Sequence, residues 1–215
     1  MPKFDRALAG GTSVSEWVLA PRSRRGGTNQ TNDYWNAITT VAGDYQSIAT
    51  TTVGAGGTSA ITFSSIPSTY KHLQVRALIR TNRATSPDAC CMYLNSDTTK
   101  TNYTLHVLYG DGASVSAGGY ASSSAVGMQS VLVAGDSLTS GIFASTVIDI
   151  LDYTNTNKNK TVRSFGSYDA NGSGYIELAS GCWLNTAAVN NFQIVPINGT
   201  LFNQYSHFAL YGIKG

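Results

Sequence analysis

Lys71-His72-Leu73-Gln74-Val75-Arg76-Ala77-Leu78-Ile79-Arg80 alternates with a period of two: Leu73, Val75, Ala77 and Ile79 face one way, while His72, Gln74, Arg76 and Arg80 face the other. Successive side chains of a strand point to opposite faces, so this stretch reads as an antiparallel strand with one face in a core and one in solvent. His72, Arg76 and Arg80 are therefore candidates for an outward face at a subunit contact.

The same grammar continues on both sides. Upstream, Ser47-Ile48-Ala49-Thr50-Thr51-Thr52-Val53, the turn Gly54-Ala55-Gly56-Gly57 and Thr58-Ser59-Ala60-Ile61-Thr62-Phe63 read as a hairpin. Downstream, strands are expected over 89–94, 103–108, 128–133, 142–151, 161–167, 175–179 with Trp183-Leu184 beyond, 191–196 and 205–213. Nothing in the body sustains a capped 3.6-residue period. About ten or eleven strands without crossover helices exclude a parallel α/β sheet. The expectation is an all-β protein, an antiparallel two-sheet sandwich of jelly-roll type over 45–215. The segment 110–126, rich in Gly, Ala, Ser and Asp, reads as a long contact loop.

Residues 1–44 have a different character. Ser13-Val14-Ser15-Glu16 has the form of a capping box ahead of Trp17-Val18-Leu19-Ala20, and Pro21 ends any helix there. Arg22-Ser23-Arg24-Arg25-Gly26-Gly27 and the Thr/Asn run after it hold too little apolar surface to offset their ordering entropy. The segment is expected to be an extended attachment arm, ordered by a partner. Trp17, Arg22, Arg24, Arg25, Tyr34 and Trp35 are its candidate docking residues, since aromatics and Arg supply much of the contact energy in interfaces.

Only 12% of the 215 residues are charged, about half the usual share, and the net charge is +2. Such a surface is solvated by hydroxyls and amides and packs against neighbours without desolvating ions. It offers no electrostatic footprint for nucleic acid. No run approaches the ~18 apolar residues of a membrane span, and the charged start Met1-Pro2-Lys3-Phe4-Asp5-Arg6 is not a signal peptide. A soluble protein made in the cytoplasm is expected. Adjacent Cys90 and Cys91 would point to opposite faces of a strand, so at most one could meet Cys182; partly buried thiols are expected rather than a disulfide framework.

Motifs that could carry chemistry fall short on context. Gly135-Asp136-Ser137-Leu138 matches the GDSL esterase nucleophile motif, but it sits past mid-chain in a β protein that has no D-x-x-H pair, so a turn is the reading. Asp169-Ala170-Asn171-Gly172-Ser173-Gly174 begins like a calcium loop, yet Ser180 stands where the closing Glu belongs. A hairpin loop rich in φ > 0 residues explains the same letters, with an ion on Asp169, Asn171 and Ser173 the alternative. His72, His106 and His207 lack ligand spacing. Nothing brings Asp149, Asp152 and Glu177 together as a glycosidase pair. Neither a cofactor nor a metal is expected, and the chain reads as a non-enzyme. Among its 12 tyrosines, Tyr103, Tyr109, Tyr120, Tyr168 and Tyr175 are material for a sugar-stacking platform, with Tyr103, Tyr109 and Tyr120 the candidate contacts to a surface glycan.

The segments Tyr45-Gln46-Ser47-Ile48-Ala49, Phe63-Ser64-Ser65-Ile66-Pro67-Ser68-Thr69-Tyr70-Lys71-His72-Leu73-Gln74-Val75-Arg76, Leu108-Tyr109-Gly110-Asp111-Gly112, Ile148-Asp149-Ile150-Leu151-Asp152-Tyr153-Thr154-Asn155-Thr156-Asn157-Lys158 and Phe208-Ala209-Leu210-Tyr211-Gly212-Ile213-Lys214 together resemble virion structural proteins of tailed bacteriophages, including cyanobacterial phages. The resemblance spans 45–215 and brings no catalytic residues. It implies a C-terminal module behind a variable N-terminal region that selects the docking place on the particle. The expectation that follows is a tail fibre or appendage subunit, a homotrimer assembled into the virion in the host cytoplasm, whose arm docks on the tail or baseplate and whose body contacts the host surface. A capsid decoration protein is the alternative, and a glycan-degrading enzyme a disfavoured third.

Overall fold

The computed structural model describes residues 43–120 and 128–215. The docking residues proposed in the arm, Trp17, Arg22, Arg24, Arg25, Tyr34 and Trp35, lie outside them, as does the side chain of Tyr120. In chain order the strands are β1 (Tyr45–Thr52), β2 (Ile61–Phe63), β3 (His72–Ile79), β4 (Asp88–Leu94), β5 (Tyr103–Gly110), β6 (Val115–Tyr120), β7 (Met128–Val133), β8 (Ala144–Ile150), β9 (Lys160–Asp169), β10 (Gly174–Trp183), β11 (Phe192–Pro196) and β12 (His207–Ile213).

The strands form two antiparallel sheets, as the alternation predicts. The large sheet has eight strands in the order β1-β12-β3-β8-β9-β10-β5-β6, and the small one has four in the order β2-β11-β4-β7. Leu73, Val75, Ile79, Ile148, Ile150, Phe208 and Leu210 of the large sheet meet Ile61, Phe63, Cys90, Met92, Leu94, Val131, Phe192 and Ile194 of the small sheet in one continuous core. Each of these side chains is removed from water, and burial of this kind contributes about 1.5–3 kcal/mol per large aliphatic residue.

Two sequence expectations need correction. The predicted hairpin between the segments flanking Gly54–Gly57 does not form: β1 pairs with β12, and β2 pairs with β11 in the opposite sheet. The turn itself is present, with Gly57 N–H donating to Gly54 O at 3.3 Å and φ of +89° at Gly56 and +74° at Gly57. Beyond it, Thr58 bridges to Phe202, and that contact carries the chain across to the other sheet. The expected loop 110–126 is likewise not strandless, because Val115–Tyr120 is β6, paired in register with β5. The Asp111 carboxylate accepts the N–H groups of Ala113 and Ser114 and closes the turn that allows this pairing.

At its edge the small sheet closes tightly on the large one. Gly166 of β9 and Gly181 of β10 leave the space that Val131 and Met128 of β7 occupy; a Cβ at either position would overlap those side chains.

Candidate interaction surfaces

Eight strands in register make the outer face of the large sheet a broad platform. One cross-strand row runs Ala117, Leu108, Leu178, Phe165, Val147, Arg76, Ala209, Thr50 from β6 to β1. The neighbouring row brings Val115, Ile176 and Leu78 to the same face. Leu108 is 48% exposed, Phe165 46%, Ile176 51%, Leu178 53% and Val115 75%. These values identify a contiguous apolar strip rather than scattered surface residues, and the strip lies on β9, β10, β5 and β6. A groove of about 410 Å³ runs beside it, lined in part by Leu78, Val147, Phe165 and Ala209.

The other side of the face is polar and internally satisfied. Gln74 accepts from Tyr45 Oη at 2.6 Å and donates to Asp149 at 2.8 Å, while Arg163 Nε donates to the same carboxylate at 2.9 Å. Tyr45 and Tyr211 stack at 4.7 Å, with the Arg76 guanidinium 5.3 Å from the Tyr45 ring centre. Arg76 and His72 thus lie on the outward face, as the alternation predicts. His72 is partly engaged there, its Nδ1 accepting the N–H of Asp152 at 3.0 Å.

Arg80 does not share that face. It lies just past the end of β3, is only 7% exposed, and donates to the carbonyl oxygens of Leu138, Thr139 and Ile142 at 2.7–3.0 Å and to Asp136 at 3.3 Å. A guanidinium has five donors, and this loop supplies the acceptors that make its burial tolerable. The Gly135-Asp136-Ser137-Leu138 segment is accordingly a turn, closed by Leu138 N–H to Gly135 O at 3.3 Å, that encloses Arg80.

A second feature is the cleft of about 410 Å³ between the β5–β6 and β9–β10 turns, lined by Gly110, Asp111, Gly112, Asp169, Tyr168 and Tyr175 among others. Tyr175 lies 5.9 Å from Tyr168 and 6.3 Å from Tyr109, ring centre to ring centre, so three tyrosines cluster here. Burial pushes the Tyr168 phenol up to about 12, so it stays a neutral hydrogen-bonding group at any physiological pH. Tyr109 packs beside Tyr175 on the inward face of β5, against Leu105, Val107 and Ala179, and is not part of the cleft lining; Tyr103 is not a surface platform either. Only 3% exposed, Tyr103 accepts the N–H of Leu94 at 3.0 Å and donates to Asp97 O at 2.7 Å, because its inward place on β5 puts the ring in the core. Of the five tyrosines that the sequence offers as sugar platforms, Tyr109, Tyr168 and Tyr175 are brought together, by the pairing of β5, β10 and β9.

The other motifs have structural roles. Asp169–Gly174 forms a tight hairpin turn: Asn171 and Gly172 have φ of +57° and +99°, Ala170 N–H donates to Ser173 O at 2.7 Å, and Asp169 accepts Asn171 N–H at 2.8 Å. His207 Nδ1 lies 2.9 Å from Thr52 Oγ1 across the β1–β12 pair. The His106 ring lies against Gly119 of β6. Asp149 belongs to the outer-face network, Asp152 pairs with Lys71 and Lys158, and Glu177 is buried between the sheets. None of the three cysteines is disulfide-bonded; Cys90 lies in the core, and burial pushes the Cys91 thiol up to about 11.

No family model matches this chain, and neither the curated proteins nor the solved structures include a match to it.

Proposed function

We propose that this chain is a structural subunit of a tailed-phage virion, a tail fibre or appendage protein whose residues 1–44 dock on the tail or baseplate and whose β body meets the host surface. The observation that carries this reading is the strand order. We read strands β1-β12-β3-β8 facing β2-β11-β4-β7 as two Greek keys of a jelly roll, an architecture of viral capsid and lectin domains. The hairpins β5–β6 and β9–β10 are additions that widen one sheet. The sequence resemblance to phage structural proteins supports the same reading, as does a surface poor in charge.

Host contact is assigned to the cleft between the two added turns. Tyr175 and Tyr168 line it with their rings, and Asp111, Asp169 and the glycine backbone offer hydrogen-bonding groups. That pairing of an apolar platform with neutral and anionic acceptors suits a polyhydroxylated glycan. Several copies per particle turn weak single contacts into useful avidity. The test is deletion of residues 1–44: particles assembled with the truncated chain should lack it, while the purified full chain binds host cells. Incorporation of the truncated chain at wild-type level would contradict the docking role of the arm.

A further inference from the structure

We infer that the apolar strip on the outer face of the large sheet is a contact with other copies of this same chain. The inference rests on the assembly-subunit reading above and assigns its interface.

Three observations select a second copy as the occupant. First, the exposed Leu108, Val115, Phe165, Ile176 and Leu178 all belong to the added strands β9, β10, β5 and β6, with Val147 of β8 continuing the row. The additions thus enlarge a face that solvent alone would not favour. Second, the face does not repel itself. Asp149 neutralises Arg163 within the sheet, Arg76 lies over the Tyr45 and Tyr211 rings, and the whole chain carries only +2. Like faces can approach without juxtaposing bare charges. Third, the face around the strip is large enough. At about 4.8 Å spacing and about 25 Å length the four strands that carry the strip cover roughly 400 Å² and the whole eight-strand face roughly 850 Å², so an interface near the ~800 Å² per partner of a stable complex takes in the polar half as its rim. The β5–β6 and β9–β10 turns share one end of the sheet, so a homotrimer whose strands run along its axis would gather them at one end.

The experiment compares the full-length chain with Phe165→Glu and Leu178→Glu by light scattering after gel filtration, with circular dichroism and thermal melting to confirm folding. Both positions are about half exposed, so the charge meets water in a monomer and a partner only in an assembly. Wild type should elute at a multiple of the 22.7 kDa chain mass, three-fold for a trimer. Each variant should shift to monomer with its melting curve retained. Leu178→Ala, which adds no charge, should weaken association at least several-fold in dilution series. A wild-type monomer at tens of micromolar would overturn the inference, as would an oligomer that both Glu variants leave intact. A monomer that instead binds a different virion protein through this strip would overturn it too, while leaving the virion assignment standing.

Discussion

The backbone N–H of Leu132 donates to Oε2 of Glu177 at 2.7 Å, joining the edge strand of the small sheet to the middle of the large one. Glu177 is 1% exposed, and a donor at a sheet edge has no ladder partner on its outer side, so the carboxylate satisfies a group that burial would otherwise strand. Glu177→Gln keeps an acceptor oxygen and should cost less than about 1 kcal/mol. Glu177→Leu should cost about 2 kcal/mol, the scale of an unpaired buried amide. Urea denaturation of the two variants checks the order.

The close approach of β7 gives a second contrast. A Cβ at Gly166 would overlap Val131, which is β-branched and held in the core, whereas at Gly181 it would overlap the flexible end of Met128. Overpacking against a rigid neighbour costs about 1–3 kcal/mol, and Met yields more easily. Gly166→Ala should therefore lower the urea midpoint clearly more than Gly181→Ala. Equal losses would mean that β7 yields as a whole.

Lys160 is fully buried and donates to the carbonyls of Asn155, Lys158 and Thr186. Burial lowers its pKa, and the three carbonyls compensate its ammonium. Lys160→Met fills similar space but leaves the carbonyls without this donor, and should destabilise by about 3 kcal/mol. Amide exchange should accelerate most across residues 151–160.

Asp152, held by hydrogen bonds from Lys158 and Lys71, has its carboxyl lowered to about 2. Its folded pKa lies below the unfolded value of about 3.9, so its stabilisation is present above about pH 4 and is lost as pH falls through 4 towards 2. Between pH 6 and pH 2.5, Asp152→Asn should show a smaller drop in melting temperature than wild type. Parallel curves would exclude a contribution from this carboxylate.

The two-sheet class was legible because strands such as β3 bury one face and wet the other, leaving the hydrophobic period in plain view. Pairing was less so. Strand β1 finds its partner at the opposite end of the chain, a choice fixed by how the two sheets close and absent from any local pattern. Strand β6, Val-Ser-Ala-Gly-Gly-Tyr, lacks the β-branched run that marks a strand and is defined by its register with β5. The apolar strip was hidden by an inversion. In Tyr175-Ile176-Glu177-Leu178-Ala179, polarity alone points Ile176 and Leu178 inward, whereas Glu177 is buried to meet Leu132 and the two aliphatics face out. Arg80 and Tyr103 misled for the same reason: long polar side chains enter the interior when backbone carbonyls or amides await them.

Position on the particle decides the virion assignment. Immunogold labelling of purified phage, combined with quantitative mass spectrometry of the virion, should place this chain at the tail in a small number of copies divisible by three. Absence from the particle would contradict the virion assignment itself, and hundreds of copies on the head would contradict the fibre role in favour of a decoration protein.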